Sequence, residues 1–142
     1  MGKVRDILNA KGNNVYSVEP NMMVYQAIER MCEKNIGALL IVDGDKLVGI
    51  FTERDYARKL ILKGKSSKTT PISELMTQNP ITVTPENTID ECMNLMTGKF
   101  IRHLPVVEND KLVGLISIGD VVKLTIEEQK DIIEYLENYI SR

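Results

Sequence analysis

Residues 15–59 and 80–124 are two versions of one segment. Shifted by 65 positions they align without a gap, and thirteen of the 45 pairs are identical, among them Val18/Val83, Pro20/Pro85, Leu39/Leu104, Gly49/Gly114 and Asp55/Asp120. Most other pairs exchange like for like, as Ile50/Leu115 and Thr52/Ser117 do. This doubling constrains the fold more than any other feature. A short supersecondary unit cannot bury its apolar face alone, and a second copy stacked on it completes a core. A ligand is expected in the seam between the copies.

Each copy reads strand, helix, strand, strand, helix. Tyr16–Val18 and Ile81–Val83 are short β-prone segments. Val24, Ala27, Ile28 and Met31 form an apolar stripe at helical spacing, and Ile89, Cys92, Met93 and Met96 repeat it. Thr88 with Glu91 fits a capping box, and Asn21 is the expected cap of the first helix. Ala38–Val42 and Leu47–Phe51 flank the polar turn 43–46, and Leu104–Val107 and Leu112–Ile116 flank 108–111, the pattern of two hairpins. The strands are almost continuously Val, Ile and Leu, so both sheet faces are expected to be buried. The fold class is therefore α+β, two βαββα repeats followed by a C-terminal helix. The halves divide at the Lys/Ser/Thr-rich linker 63–71, giving 1–67 and 68–142. Within that linker Gly64-Lys65-Ser66 is not a phosphate loop, because Lys59 stands where a Walker motif needs its first glycine. The tail Thr125–Ile140 has no counterpart in the first copy. Its Ile126, Ile133, Leu136 and Ile140 follow helical spacing and need a surface to cover, on their own domain or on a second subunit.

A net charge of −2 and the absence of Trp argue against nucleic-acid binding. The run Arg54, Arg58, Lys59, Lys63, Lys65 and Lys68 is expected to be a solvated basic face. The longest apolar stretch, 38–42, is too short to span a membrane, and a cytoplasmic protein is expected. Cys32 and Cys92 align with Thr97 and Ala27, so they are not a repeated metal or redox pair. Both are expected on buried helix faces. A single histidine, no metal-ligand cluster and no carboxylate pair at a spacing that suggests acid/base work argue against an enzyme, and no catalytic residue or metal site is assigned.

The sharpest local signal is Gly49-Ile50-Phe51-Thr52-Glu53-Arg54-Asp55, repeated as Gly114-Leu115-Ile116-Ser117-Ile118-Gly119-Asp120. It runs off a strand into a helix. A hydroxyl at that junction can cap the helix and bond an anion there. An Asp in the first turn is kept ionised by the helix dipole and can accept two bonds from a ribose diol. Hydroxyl to phosphate and Asp to ribose make a nucleotide clamp. The same residues also make a capping box that needs no ligand.

With these motifs, and with Ile36-Gly37-Ala38-Leu39 and Ile101-Arg102-His103-Leu104-Pro105-Val106-Val107, the chain resembles a tandem CBS-domain protein, a Bateman module. Thr52–Lys59 followed by Lys65-Ser66-Ser67 narrows the resemblance to small stand-alone two-CBS proteins of bacteria and plant mitochondria. The resemblance implies two repeats packed with pseudo-twofold symmetry and adenosine ligands in clefts between them: AMP first, with NAD, ADP, ATP or S-adenosylmethionine as the other candidates. It implies sensing rather than turnover, a homodimer and a client protein. Asp55 and Asp120 would each hold a ribose, with Thr52 and Ser117 near phosphate. Adenine would lie against Val15-Tyr16 at the Asp120 site and against Pro80-Ile81 at the Asp55 site. Arg102 and His103 match a basic pair that contacts phosphate in some members, and Pro105 and Gly119 are further candidate binding residues. The first copy has Gly37 and Ala38 in place of the basic pair, so Arg54 would have to substitute. The alternative is a dimeric adaptor that docks on an enzyme without a ligand.

Overall fold

The computed structural model describes residues 2–141. The α+β fold follows the doubled pattern. In the first copy, β1 (Ser17–Val18), α2 (Val24–Lys34), β2 (Ala38–Asp43) and β3 (Lys46–Thr52) follow the lead-in helix α1 (Val4–Lys11). A single helical turn, α3 (Glu53–Asp55), continues into a π-helical stretch, Tyr56–Ile61. A 3-10 turn at Ile72–Glu74 and β4 (Thr77–Gln78) lead into the second copy, which contains α4 (Ile89–Lys99), β5 (His103–Glu108), β6 (Lys111–Ser117) and α5 (Ile118–Ile140).

The sheet order in the first copy is β1-β2-β3-β4. β1 is parallel to β2, and the other two pairs are antiparallel. In the second copy β5 and β6 pair, and the expected strand Ile81–Val83 shrinks to one parallel bridge, Val83 to Val106. Both backbone groups of Val83 are still used. Its N–H donates to the Pro105 carbonyl at 3.0 Å, and its carbonyl accepts from the Val107 N–H at 2.8 Å. The second hairpin turns on Asn109 and Asp110, both left-handed (φ 52 and 61), as a two-residue turn matched to strand twist requires.

The chain divides into two compact units that do not follow chain order. One gathers Asn14–Ile81 with Asn109–Val113; the other gathers the residues before Asn14, Thr82–Glu108 and Gly114 onward. Each unit thus takes in the lead-in of the opposite copy. In one, the N–H groups of Val4 and Arg5 donate to the carbonyls of Asn87 and Pro85, each at 2.9 Å. In the other, those of Ile72 and Ser73 donate to Met22 and Pro20 at 2.8 and 3.1 Å. The repeated glycine of the motif is where the lead-in arrives. A Cβ on Gly114 would stand 2.6 Å from Leu8 Cδ2, and one on Gly49 would overlap the Met76 side chain.

The core of the first-copy unit holds Val18, Val24, Ala27, Met31, Leu39, Ile41, Phe51, Leu60, Ile72 and Leu75. The alternating Leu40 is fully buried too, so this strand is covered on both faces. In α4 the same stripe buries Ile89, Cys92 and Met96.

Three local expectations are corrected. Asn21 does not cap α2; Met23 is the N-cap residue, and it accepts no side-chain bond there. The linker performs that role with backbone, since the carbonyls of Thr70 and Ser67 accept from the N–H groups of Val24 and Tyr25, each at 2.9 Å. Cys32 is exposed rather than buried, because it sits one position past Met31 and off the stripe. Cys92 is buried, and desolvation, helped by the neighbouring Glu91 charge, pushes its thiol up to about 11. The tail is not a separate helix. It is the continuation of α5, which runs unbroken for 23 residues from the Ser117 cap.

Candidate functional site

Both T/S-x-x-D motifs form complete capping boxes. In the first, the Thr52 N–H donates to Asp55 Oδ2 at 3.0 Å, and the Asp55 N–H donates to Thr52 Oγ1 at 3.2 Å. The Thr52 hydroxyl also donates to Asp55 Oδ2, at 3.2 Å. In the second, the Ser117 N–H donates to Asp120 Oδ2 at 2.9 Å and the Asp120 N–H to Ser117 Oγ at 3.2 Å. Each box satisfies first-turn amides that the helix leaves unpaired, and it fixes its carboxylate against the strand end.

The neighbouring loops reach the same junctions through backbone. The Gly37 carbonyl accepts from the Glu53 N–H at 3.2 Å, and the Arg102 carbonyl accepts from the Ile118 N–H at 2.9 Å. Ala38 lies directly opposite Thr52 in the β2–β3 ladder. The structure thus gathers Gly37, Ala38, Thr52 and Asp55 at one junction, with Arg54 exposed beside them. At the other it gathers Arg102, Ser117, Gly119 and Asp120, with His103 half-buried and Pro105 buried along β5. Val15 and Tyr16 lead into β1, where the Tyr16 carbonyl accepts from the Leu40 N–H and its ring lies 5.3 Å from Lys34 Nζ. Pro80 and Ile81 follow β4 and are partly exposed. Neither is hydrogen-bonded to Asp55.

The repeat is a known one. The CBS domain family profile matches residues 4–62 and again residues 72–127. The chain belongs to the CBS-domain family. A mitochondrial CBS domain-containing protein of Arabidopsis thaliana, CBSX3, is 38% identical over 96% of this chain and 71% of its own length. A solved protein with CBS domains from Burkholderia ambifaria is 54% identical, with a TM-score of 0.86 over 89% of this chain and 96% of its own. The CBS domain pair of protein MJ0100, solved with 5′-methylthioadenosine and S-adenosyl-L-methionine, is 29% identical, with a TM-score of 0.77 over 90% of this chain and 98% of its own.

Within this CBS pair the two carboxylates have different counter-ions, and the sequence reading named neither as a partner. Asp55 Oδ1 lies 3.2 Å from Lys59 Nζ, which also donates to the Leu75 carbonyl at 3.1 Å. The i,i+4 spacing on one helix could have announced that pair. Asp120 instead takes Lys11, at 2.8 Å, and Lys11 also donates to the Leu115 carbonyl at 2.9 Å. Nothing local announces a partner 109 residues away in the chain. Burial alone would raise the Asp120 carboxyl. The hydrogen bond and charge of Lys11 and the bond from the Ser117 N–H outweigh it, so the group lies below its ordinary value of 3.8. The two bonds Asp120 accepts both fall on Oδ2, which leaves the lone pairs of Oδ1 to a ligand. Both oxygens of Asp55 are engaged.

The basic run is not uniformly solvated. Besides Lys59, Lys65 lies 3.6 Å from Glu74, and Lys68 stands 5.7 Å from the Tyr25 ring centroid. Among the described residues no group of His, Cys, Asp and Glu could hold a metal ion, and no helix is long and apolar enough to cross a membrane.

Proposed function

We propose that this CBS pair is a regulatory module that binds an adenosine-containing nucleotide without turning it over and signals its occupancy to a client protein. The observation that carries this reading is the doubled junction. In each copy a helix N-terminus, a hydroxyl and a carboxylate are held together by the fold before any ligand arrives, so little ordering remains for binding to supply. The adenosine ligands of the MJ0100 pair support the same ligand class here.

The junctions are read as unequal. The Asp120 site has an unoccupied carboxylate oxygen and Arg102 at its edge, and Arg offers a fixed fork of donors suited to phosphate. It is assigned AMP, with ribose on Asp120 and phosphate toward Arg102 and His103. The Asp55 site is assigned weaker binding or a larger ligand such as NAD, with Arg54 as its cation. Calorimetric titration with AMP and NAD is expected to give micromolar to sub-millimolar binding. Arg102→Ala is expected to weaken AMP about tenfold or more, the effect of one charge-assisted bond, and to leave the other class of site intact. Two identical sites lost together would overturn the asymmetry.

A second reading has its own observation. On α5, Ile126, Ile133, Leu136 and Ile140 are between 46% and 80% exposed, a stripe that the described residues cover only in part. That favours assembly, either as the homodimer we infer for the ligand-bound sensor or as a ligand-free adaptor. Light scattering at micromolar concentration is expected to return twice the chain mass. A monomer would refute the dimer, and a dimer that binds neither nucleotide would favour the adaptor.

A further inference from the structure

Lys11 sits on the lead-in helix α1, outside the repeated segment, and its ammonium reaches the Asp120 junction of the same unit. An ammonium has three N–H donors. Two are used, one on Asp120 Oδ2 and one on the Leu115 carbonyl, which hold Nζ in place between the strand end and the carboxylate. The side chain is 39% exposed, against 24% for Asp120, so Lys11 is the more accessible member of the pair. We infer that Lys11 is a ligand-binding residue of the Asp120 site, its third donor directed to the phosphate of a nucleotide whose ribose rests on Asp120 Oδ1. The inference rests on reading this junction as an adenosine site and adds, beside Arg102, a second cation that favours phosphorylated over unphosphorylated ligands.

The electrostatic argument is direct. A partly buried carboxylate repels a phosphate brought within a few ångströms, and the reduced solvent around it strengthens that repulsion. Lys11 cancels the carboxylate charge and supplies a donor in the same place. A ribose diol carries no charge, so adenosine needs Asp120 but not Lys11. The first copy has no such arrangement. Its carboxylate is matched by Lys59 from its own helix, and that ammonium closes the second oxygen instead of leaving it open. Part of the charge preference of the second site, beside that of Arg102, therefore comes from a segment that is not part of the repeat.

The test is calorimetric titration of the full chain with AMP and with adenosine, in the unaltered protein, Lys11→Met and Lys11→Arg. Met keeps the aliphatic stem, and the ligand-free melting temperature of each variant reports that the unit is folded. Lys11→Met is expected to weaken AMP about tenfold or more while adenosine stays within about twofold or tightens, the loss of one charge-assisted bond falling on the charged ligand alone. Lys11→Arg is expected to restore part of the AMP affinity. Equal losses for AMP and adenosine would overturn the inference, since Lys11 would then act only by holding Asp120 in place. Unchanged AMP binding would overturn it as well. If the unaltered protein binds neither ligand, the adenosine reading itself falls and takes this inference with it.

Discussion

Phe51→Ala is expected to destabilise the first-copy unit by about 3–5 kcal/mol, the usual cost of emptying a buried aromatic site. Phe51 is fully buried and belongs to the cluster with Leu39, Ile41, Leu60, Ile72 and Leu75. Its neighbours come from the β-hairpin, the π-helical stretch and the lead-in of the second copy, so no single element can collapse into the space. Against a typical domain stability of about 5–15 kcal/mol, a loss of this size is about a fifth of the total or more. The effect should reach the site, because Phe51 immediately precedes Thr52, whose N–H and hydroxyl hold Asp55. Urea unfolding followed by circular dichroism, with the slope compared between proteins, checks the value. A loss under about 1 kcal/mol would mean that the core relaxes around the cavity and that the packing described here is not rigid.

Asp120→Ala is expected to lower AMP affinity about tenfold or more, since each charge-assisted bond contributes roughly 1.5–3 kcal/mol. The same change removes half of the α5 capping box and leaves Lys11 without its carboxylate, so a loss of stability of about 1 kcal/mol should accompany it. Asp120→Asn separates the two effects, because the amide oxygen can still accept from the Ser117 N–H while the charge is gone. The pH dependence has a definite sign. The folded-state carboxyl is held below 3.8, so its contribution is fully present above that ordinary value and is lost as pH falls through the lower folded value. Stability and binding attributable to Asp120 should therefore be constant from neutral pH down to mild acid and fall only below the ordinary carboxylate range. Calorimetry at neutral pH that finds AMP binding unchanged in both variants would remove the carboxylate from the site.

Most of the local architecture was legible in the sequence because its causes are local. Apolar residues at a spacing of three and four make a helix with one buried stripe whatever surrounds it, and Val24, Ala27 and Met31 behave as their spacing requires. Thr88 with Glu91, Thr52 with Asp55 and Ser117 with Asp120 form the boxes their three-residue spacing permits. The doubling itself fixed the copy number and placed the two junctions in equivalent positions. These properties depend on neighbours within one turn of helix or one hairpin, and a sequence states those neighbours directly.

What remained depends on which distant segment arrives at a surface. The amides of α2 could be satisfied by Asn21 or by linker carbonyls, and only the path of Ser67–Thr70 decided between them. The glycine of each motif looked like part of a ligand signature, yet its lack of a side chain makes room for Leu8 in one unit and Met76 in the other. Each lead-in joins the unit of the opposite copy, where the glycine leaves room for its side chain and carbonyls accept the N–H groups of its first turn. The lysine paired with Asp120 comes with that lead-in. A charge pair between residues 11 and 120 has no periodicity and no motif, since it exists only through the packing of α1, so the counter-ion of the candidate site was a decision of the tertiary structure alone.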